Sequence, residues 1–178
     1  RDLNRLESRP ITDDEQATIR VSFNREGVGK LKMKYAFSDE RYYEKEFIFY
    51  KDDYLVDVSY SFVGCENVMN GREFNIMWNS GLRSSETNLS DDVNYMKLYA
   101  LMGQEVLTVD AGDPQPLEID VGNTSWIAVR NKYFTAAVIP EQMSMEIGYA
   151  GTPVTMNNVL ARKDYHVTLK YRLSDLDN

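Results

Sequence analysis

The sequence predicts an all-β protein folded as an antiparallel β-sandwich, with at most one short helix. Three observations support this class. Apolar and polar residues alternate along several segments, short polar breaks separate those segments, and no segment carries a convincing helical stripe. Because a strand points successive side chains to opposite faces, alternation indicates strands with one buried and one solvated face. Such sheets bury their apolar faces by packing on a second sheet.

Six segments alternate in this way, and each is predicted to be a strand. In the second of them, lysines separate Leu31, Met33 and Tyr35, so the apolar series is expected to face a core and the lysines to face water. The breaks between segments are rich in Gly, Asn and Asp, the residues that turns require. The six segments are residues 18–23, 29–37, 54–62, 72–78, 143–149 and 165–173.

The segment "DDVNYMKLYALMG", residues 91–103, is ambiguous. Its apolar residues fit the period of a strand as well as that of a helix. The sequence therefore leaves a brief helix open here, as the alternative to a further strand.

The most apolar stretch of the chain is "SWIAVRNKYFTAAVIPE", residues 125–141. β-Branched and aromatic residues dominate it and a proline closes it, which favours two strands over one long helix. The polar trio Arg130, Asn131 and Lys132 then marks the corner between the strands. The second of these strands, in "YFTAAVIP", is apolar on both faces and is predicted to be a central strand buried on both sides.

Length and charge limit the classes of function. The chain has 178 residues, enough for one domain with its own core, and residues 17–178 are predicted to form it after a polar lead-in over residues 1–16. The net charge of −8 disfavours binding to nucleic acid, and it also disfavours electrostatic adhesion to anionic lipid.

Cys65 is the single cysteine, so no disulfide can form within the chain. This fits a cytosolic protein, or a periplasmic one whose core is large enough without disulfides. Cys65 itself is expected to be a small apolar residue near the end of a strand. The chain begins at Arg1 rather than at methionine, and we expect it to be a piece of a longer protein.

The sequence offers little catalytic chemistry. The single histidine, His166, falls on the solvent side of a predicted strand, where it has no evident acid or base partner. The pairs Asp13–Asp14, Asp52–Asp53 and Asp91–Asp92 are predicted to be hydrated turn formers. We therefore expect no catalytic residue, no cofactor and no metal. A calcium site is the alternative for the carboxylates of "DAGDPQPLEID", which are Asp110, Asp113, Glu118 and Asp120.

Several motifs resemble the large periplasmic domain of the YidC membrane insertases of Gram-negative bacteria. The order Trp-Ile-Ala, then Tyr-Phe, then Ala-x-Ile-Pro in residues 126–140 carries most of the resemblance. The segments "EFIFYKDDYLVDVSYSF", "IGYAGTPVTM" and "VTLKYRLSDL" follow the order of the family's strands. The resemblance covers about residues 17–173, and its signature positions with an expected structural role are Trp126, Tyr133, Phe134, Ile139 and Pro140.

The resemblance implies a β-supersandwich of the galactose-mutarotase type, at the periplasmic face of the inner membrane and tethered by flanking helices outside this chain. It implies a non-catalytic scaffolding and docking module that works with the SecDF accessory complex of the Sec translocon and with nascent membrane proteins. The corresponding docking stretch is residues 72–100. Its candidate contact residues are Trp78, Asn79, Leu82, Arg83, Tyr95 and Tyr99.

Two other functions stay open. The same fold could bind carbohydrate or act as a mutarotase, although the lone outward His166 argues against that chemistry. An apolar cleft or a free sheet edge could instead hold extended substrate segments, as a chaperone does.

Overall fold

The computed structural model describes residues 20–65, 72–79, 82, 84 and 87–172. Within these residues it contains ten strands and one short helix, and every strand pairing is antiparallel. The predicted all-β, antiparallel class with one short helix is therefore confirmed. The chain divides after residue 66 into two units, which are described separately. The single domain expected over residues 17–178 stays a prediction.

Unit 1 is a three-stranded sheet with the order β1-β2-β3. Its strands are β1 (Val28–Ser38), β2 (Arg41–Tyr50) and β3 (Val56–Val63). In the turn between β2 and β3, Asp53 accepts a hydrogen bond through Oδ1 from the backbone N of Leu55 at 3.0 Å. This confirms the turn role predicted for the Asp52–Asp53 pair. Cys65 is buried just beyond β3, as predicted, and its Sγ lies 3.3 Å from the carbonyl oxygen of Tyr42.

The first predicted strand, residues 18–23, is wrong for residues 20–23, the part of it that the structure describes. Residues 20–23 have no strand structure, and residues 18 and 19 lie outside the described part of the chain. This segment packs on β1 instead of extending a sheet: a Cβ added to Gly29 would meet Cγ1 of Val21 at 2.6 Å. Alternation alone cannot distinguish these two arrangements.

The alternation in β1 is confirmed as a pattern of faces but not as a pattern of burial. Register pairs Leu31 with Phe47 and Tyr35 with Tyr43, so the apolar residues do share one face. On that face the rings of Tyr35 and Tyr43 stack at 5.4 Å between centroids, and Tyr43 lies 6.2 Å from Phe62. Met33, Tyr35 and Phe37 are nevertheless exposed, although the rings of Tyr35 and Phe37 contact each other at 5.4 Å between centroids.

Unit 2 is a larger sheet with the order β4-β10-β9-β7-β5-β6, and β8 pairs with β7 beside this path. The helix found among its described residues, α1, spans Leu89–Val93, and β5 follows at Lys97, so both readings of the ambiguous segment 91–103 are partly correct. The strands are β4 (Glu73–Asn79), β5 (Lys97–Met102), β6 (Glu105–Val109), β7 (Gln115–Arg130), β8 (Thr135–Val138), β9 (Ser144–Met156) and β10 (Val159–Arg172).

The predicted central strand in "YFTAAVIP" is wrong. It forms the four-residue strand β8, whose residues alternate between exposed and half-buried and which pairs with the second half of β7. The first half of β7 pairs with β9, and a register shift between Val121 and Thr124 precedes the second half. The long strand β7 therefore takes the central position, and the apolar residues of β8 lie beside it.

The core of unit 2 covers one face of the sheet. Register places Ile76, Leu169 and Ile147 in one row across three strands, and Leu98 and Ile127 continue the same apolar cluster. Full burial of each such aliphatic side chain contributes roughly 1.5–3 kcal/mol. This cluster is the rigid base on which the surface features of unit 2 are built.

An ion pair between a buried lysine and an exposed aspartate closes one end of this core. Lys163 lies on the core face of β10, and its ammonium pairs with Asp110, which follows β6 and also lies 3.5 Å from Nζ of Lys97. Partial burial raises the pKa of Asp110, but the hydrogen bond and charge of Lys163 outweigh it, so that the pKa lies below its ordinary value of 3.8. The pair joins the loop after β6 to β10.

Asp110→Asn should lower stability at neutral pH, because it leaves the buried ammonium of Lys163 without its carboxylate. The pKa of Asp110 is lower in the folded state, so its contribution is present above the unfolded pKa and is lost as pH falls through the folded value. Urea unfolding at pH 7 and at pH 3 should therefore show a smaller difference between variant and wild type in acid. Asp113→Asn, in the same loop, is the control and should behave as wild type at both pH values.

Candidate functional site

The corner predicted at Arg130–Lys132 is the tight connection between β7 and β8. Asn131 is buried, and its Oδ1 accepts hydrogen bonds from the backbone N of Tyr133 at 3.1 Å and of Phe134 at 2.8 Å. Its own backbone N donates to the carbonyl oxygen of Phe134 at 2.9 Å. Asparagine is suited to this role because its short side chain mimics a backbone turn. The connection is thus fixed from within, while the side chains of Tyr133 and Phe134 are each 58% exposed.

Helix α1 holds this connection from the side. Asp92 accepts a hydrogen bond through Oδ1 from the backbone N of Lys132 at 3.0 Å, and Asp91 pairs with Nζ of Lys132 at 2.5 Å. The hydrogen bond that Lys132 donates to Asp91, and then its hydrogen bond with Tyr133, raise the pKa of Lys132 above its ordinary value. Lys132 therefore stays charged across the physiological range.

The prediction that Asp91 and Asp92 form a hydrated turn is wrong. Both lie in α1, and Asp92 is fully buried where its carboxylate accepts the hydrogen bond from the β7–β8 connection. The sequence contained one usable signal, since a pair of acidic residues ahead of an apolar run suits the first turn of a helix. The partner of that pair lies 40 residues later in the chain and could not be read from spacing.

We call the exposed end of this assembly the aromatic tip; it consists of Tyr95, Arg130, Tyr133 and Phe134. Register places β5 opposite the end of β7, with Lys97 facing Arg130. Tyr95 precedes Lys97 by two residues, is exposed, and donates its backbone N to the carbonyl oxygen of Asp92 at 3.0 Å. The tip therefore combines one residue of the predicted docking stretch with two of the predicted signature positions.

The other signature positions lie away from the tip. Trp126 is half-buried and pairs in register with Leu101, whereas Ile139 is exposed and Pro140 is half-buried, both after β8. A half-buried Trp126 is compatible with a supporting role in packing. The structural role of the signature as a whole stays a prediction.

The other docking candidates do not form one patch. Trp78 and Leu82 pack against the core of unit 2, while Asn79 is exposed at the end of β4 and Tyr99 is half-buried on β5. Three strands separate β4 from β5 in the sheet. Arg83 lies outside the described residues.

The polar groups considered for chemistry fall into separate contacts, and His166 is not part of the contacts made by the carboxylates. His166 is exposed on β10, as predicted, and lies opposite Asn79 and Ala150 rather than a carboxylate. Glu118 and Asp120 both contact the hydroxyl of Tyr149, at 2.8 and 3.0 Å. Burial, and then these two carboxylates, raise the pKa of Tyr149 above its ordinary value.

The four carboxylates of the predicted calcium alternative are thus divided. Glu118 and Asp120 contact Tyr149, whereas Asp110 pairs with lysines. Among the residues that the structure describes, no three His, Cys, Asp or Glu side chains are grouped as metal ligands. The same residues contain no helix with the length and apolar character of a membrane span.

Comparison with known proteins identifies a family. The sequence model of the YidC periplasmic domain matches residues 20–173. The chain is 30% identical over 168 residues to the membrane protein insertase YidC of Chloroherpeton thalassium, a match that covers 92% of this chain and 28% of that protein. It is 31% identical over 154 residues to the membrane protein insertase YidC of Chlorobaculum tepidum, which covers 85% of this chain and 24% of that protein.

The chain spans about a quarter of the length of these curated relatives, with shares of 28% and 24%. No solved structure gives a significant match. The family match nevertheless extends through both units, from residue 20 before β1 to residue 173 after β10. The chain therefore belongs to the YidC periplasmic domain family and lies at the periplasmic face of the inner membrane.

Proposed function

We propose that this chain is a non-catalytic docking domain of a membrane protein insertase. In this role it assists the insertion of nascent membrane proteins by binding the SecDF accessory complex. The match to the insertase family supports the general role. The division of the polar groups of unit 2 between structural pairs supports the non-catalytic part of the proposal.

The observation that carries the docking proposal is the outward face of β4. Asn75, Met77 and Asn79 alternate along this face, and Met77 is 64% exposed. The opposite face of the strand carries Trp78, which packs on the core. An exposed apolar residue among neutral polar ones, on a strand held from behind, is a composition suited to a protein interface.

The position of β4 adds a second argument. It is the terminal strand in the described sheet order of unit 2. A terminal strand presents backbone groups as well as side chains to a partner, which gives an extended segment a register in which to bind. The proposed SecDF contact is therefore centred on Met77 and Asn79 within the predicted docking stretch.

Met77→Lys should reduce capture of detergent-solubilised SecDF by the immobilised chain, because it places a charge at the centre of the proposed contact. We expect a loss on the order of tenfold in apparent affinity. Val106→Lys is the matched control: Val106 is 54% exposed on β6, at the other end of the sheet order. Equal capture by wild type and Met77→Lys would contradict the docking proposal, as would equal losses in the two variants.

The carbohydrate alternative has no supporting observation in this site. A mutarotase-like reaction would require a histidine acting together with a carboxylate. His166 has Asn79 and Ala150 as its register partners. The docking role is therefore the function that the geometry supports best.

A further inference from the structure

We propose that the aromatic tip is a lipid-contacting surface, with Tyr133 and Phe134 at the headgroup level of the bilayer. This inference is independent of the SecDF contact, which is assigned to β4. The chain lies at the periplasmic face of the membrane, so part of its surface lies close to lipid headgroups.

The rings of Tyr133 and Phe134 are presented on a fixed backbone. Two hydrogen bonds to Oδ1 of Asn131, together with the contacts of Lys132 with Asp91 and Asp92, fix the backbone beneath them. Both rings are more than half exposed on this fixed support. A preorganised apolar contact loses little conformational entropy when it binds.

The chemistry of the two rings and of their neighbours suits a membrane–water interface. Aromatic side chains are enriched at membrane–water interfaces, and tyrosine adds a polar hydroxyl to an apolar ring. The segment from Arg130 to Phe134 contains two basic residues and no acid, in a chain of net charge −8. Lys132 is paired with Asp91, so the exposed Arg130 is the cation of this segment that is placed to contact lipid phosphates.

The aromatic tip lies at one end of the sheet of unit 2. The start of β7 lies opposite Gly151 of β9, and the strand then runs past Ser144 to Arg130. The turn between β9 and β10, at Asn157 and Asn158, lies toward the other end. With the tip in contact with lipid, Arg130 lies at the level of the phosphates and the β9–β10 turn is held away from them.

The occupant that fits is a lipid surface rather than a stretch of nucleic acid, since the chain is acidic overall. Contact by aromatic side chains also agrees with the expectation that charge alone does not hold this chain on anionic lipid. We therefore expect binding to neutral phosphatidylcholine as well as to mixtures that contain phosphatidylglycerol.

The test follows the amide signals of the isotope-labelled chain by NMR during titration with lipid nanodiscs. The nanodiscs contain phosphatidylcholine, or phosphatidylethanolamine with phosphatidylglycerol, and a trace of lipid with a gadolinium-chelating headgroup. We expect the signals of Tyr95 and of residues 131–134 to broaden most. Residues 156–159 at the other end of the sheet should broaden least.

Matched double variants distinguish aromatic contact with lipid from non-specific adsorption of exposed apolar residues. Tyr133→Ser with Phe134→Ser should weaken partitioning on the order of tenfold, because it removes both rings and retains the Asn131 support. The control is Met156→Ser with Val159→Ser, whose side chains are 61% and 50% exposed beside the β9–β10 turn. It should bind lipid as wild type does. Unchanged amide shifts in the core of unit 2 would show that both variants fold.

Arg130→Gln adds a test of the charge argument. It should weaken binding to nanodiscs containing phosphatidylglycerol at low salt, with a smaller effect at high salt. Uniform broadening, strongest broadening at residues 156–159, or equal losses in the two double variants would overturn the lipid proposal. These results leave the SecDF capture assay untouched, so the two proposals can fail separately.

Discussion

Gly151→Ala should destabilise unit 2 by about 3 kcal/mol, which is the largest effect that we expect from a single methyl group in the core of this unit. A Cβ at residue 151 would meet Cβ of Ala111 at 2.5 Å and two ring carbons of Tyr165 at 3.5 Å. The Cβ of Ala111 is attached directly to the backbone and cannot rotate away. The strand β9 or the loop after β6 must therefore shift, at the cost of core packing.

Urea unfolding followed by intrinsic fluorescence measures this effect well, because both tryptophans, Trp78 and Trp126, lie in unit 2. The matched control is Gly122→Ala in the neighbouring strand β7, where an added Cβ would make an ordinary contact of 3.6 Å with Cε of Met102. That variant should remain within about 1 kcal/mol of wild type. If Gly151→Ala unfolds at the same urea concentration as Gly122→Ala, the close packing described for residue 151 is incorrect.

Tyr165→Phe should cost about 2 kcal/mol, the second largest effect, although it removes a single oxygen atom. The hydroxyl is buried, donates to the carbonyl oxygen of Met96 at 2.9 Å and accepts from the backbone N of Ala111 at 3.4 Å. It therefore links β10 both to the residue before β5 and to the loop after β6. Without it, two buried backbone groups lose their partner while the ring still fills its space.

The same residue predicts a difference at alkaline pH. Burial, the largest cause, raises the pKa of Tyr165 from its ordinary value of 10.0 to about 12. A raised folded pKa gives stability that is complete below the unfolded value and is lost as pH rises through the folded value. Between pH 10.0 and about 12, the stability of wild type should fall as the hydroxyl of Tyr165 ionises. Tyr165→Phe has no such hydroxyl and should not show this loss. Parallel losses in the two proteins over this window would contradict the burial of the hydroxyl.

Much of the strand content could be predicted from the sequence, because alternation is a local property of a half-buried strand. Segments 29–37, 54–62, 72–78, 143–149 and 165–173 fall largely within β1, β3, β4, β9 and β10. The corner at Arg130–Lys132 could also be predicted, since polar residues interrupting an apolar run rarely continue a buried strand. The motifs in residues 126–140 led to the family that the comparison then showed.

Burial was harder to predict than strand position. The apolar face of β1 follows the predicted alternation, yet Tyr35 and Phe37 are exposed. The segment "YFTAAVIP" has the composition of a central strand. In the structure it forms a short strand that pairs with the second half of β7, which also pairs with β5. Alternation indicates which residues share a face, whereas burial depends on what lies against that face.

The candidate site depends most strongly on the tertiary structure. Its support consists of Asp91 and Asp92 in one part of the sequence and Asn131 and Lys132 in another, and their roles become evident when α1 lies beside the β7–β8 connection. A single sequence contains no periodic signal for such a pairing, because the separation of 40 or 41 residues has no fixed relation to strand or helix geometry.

By itself, the sequence determined the secondary-structure class, the main strand positions and the family of this protein, since each is encoded in short-range patterns of residue type. The tertiary structure alone decided which apolar residues are buried, that Asp92 supports the tip, and that Tyr133 and Phe134 are held outward. The physical reason is that burial and hydrogen bonding are properties of neighbours in space, and the fold brings those neighbours together from distant parts of the chain.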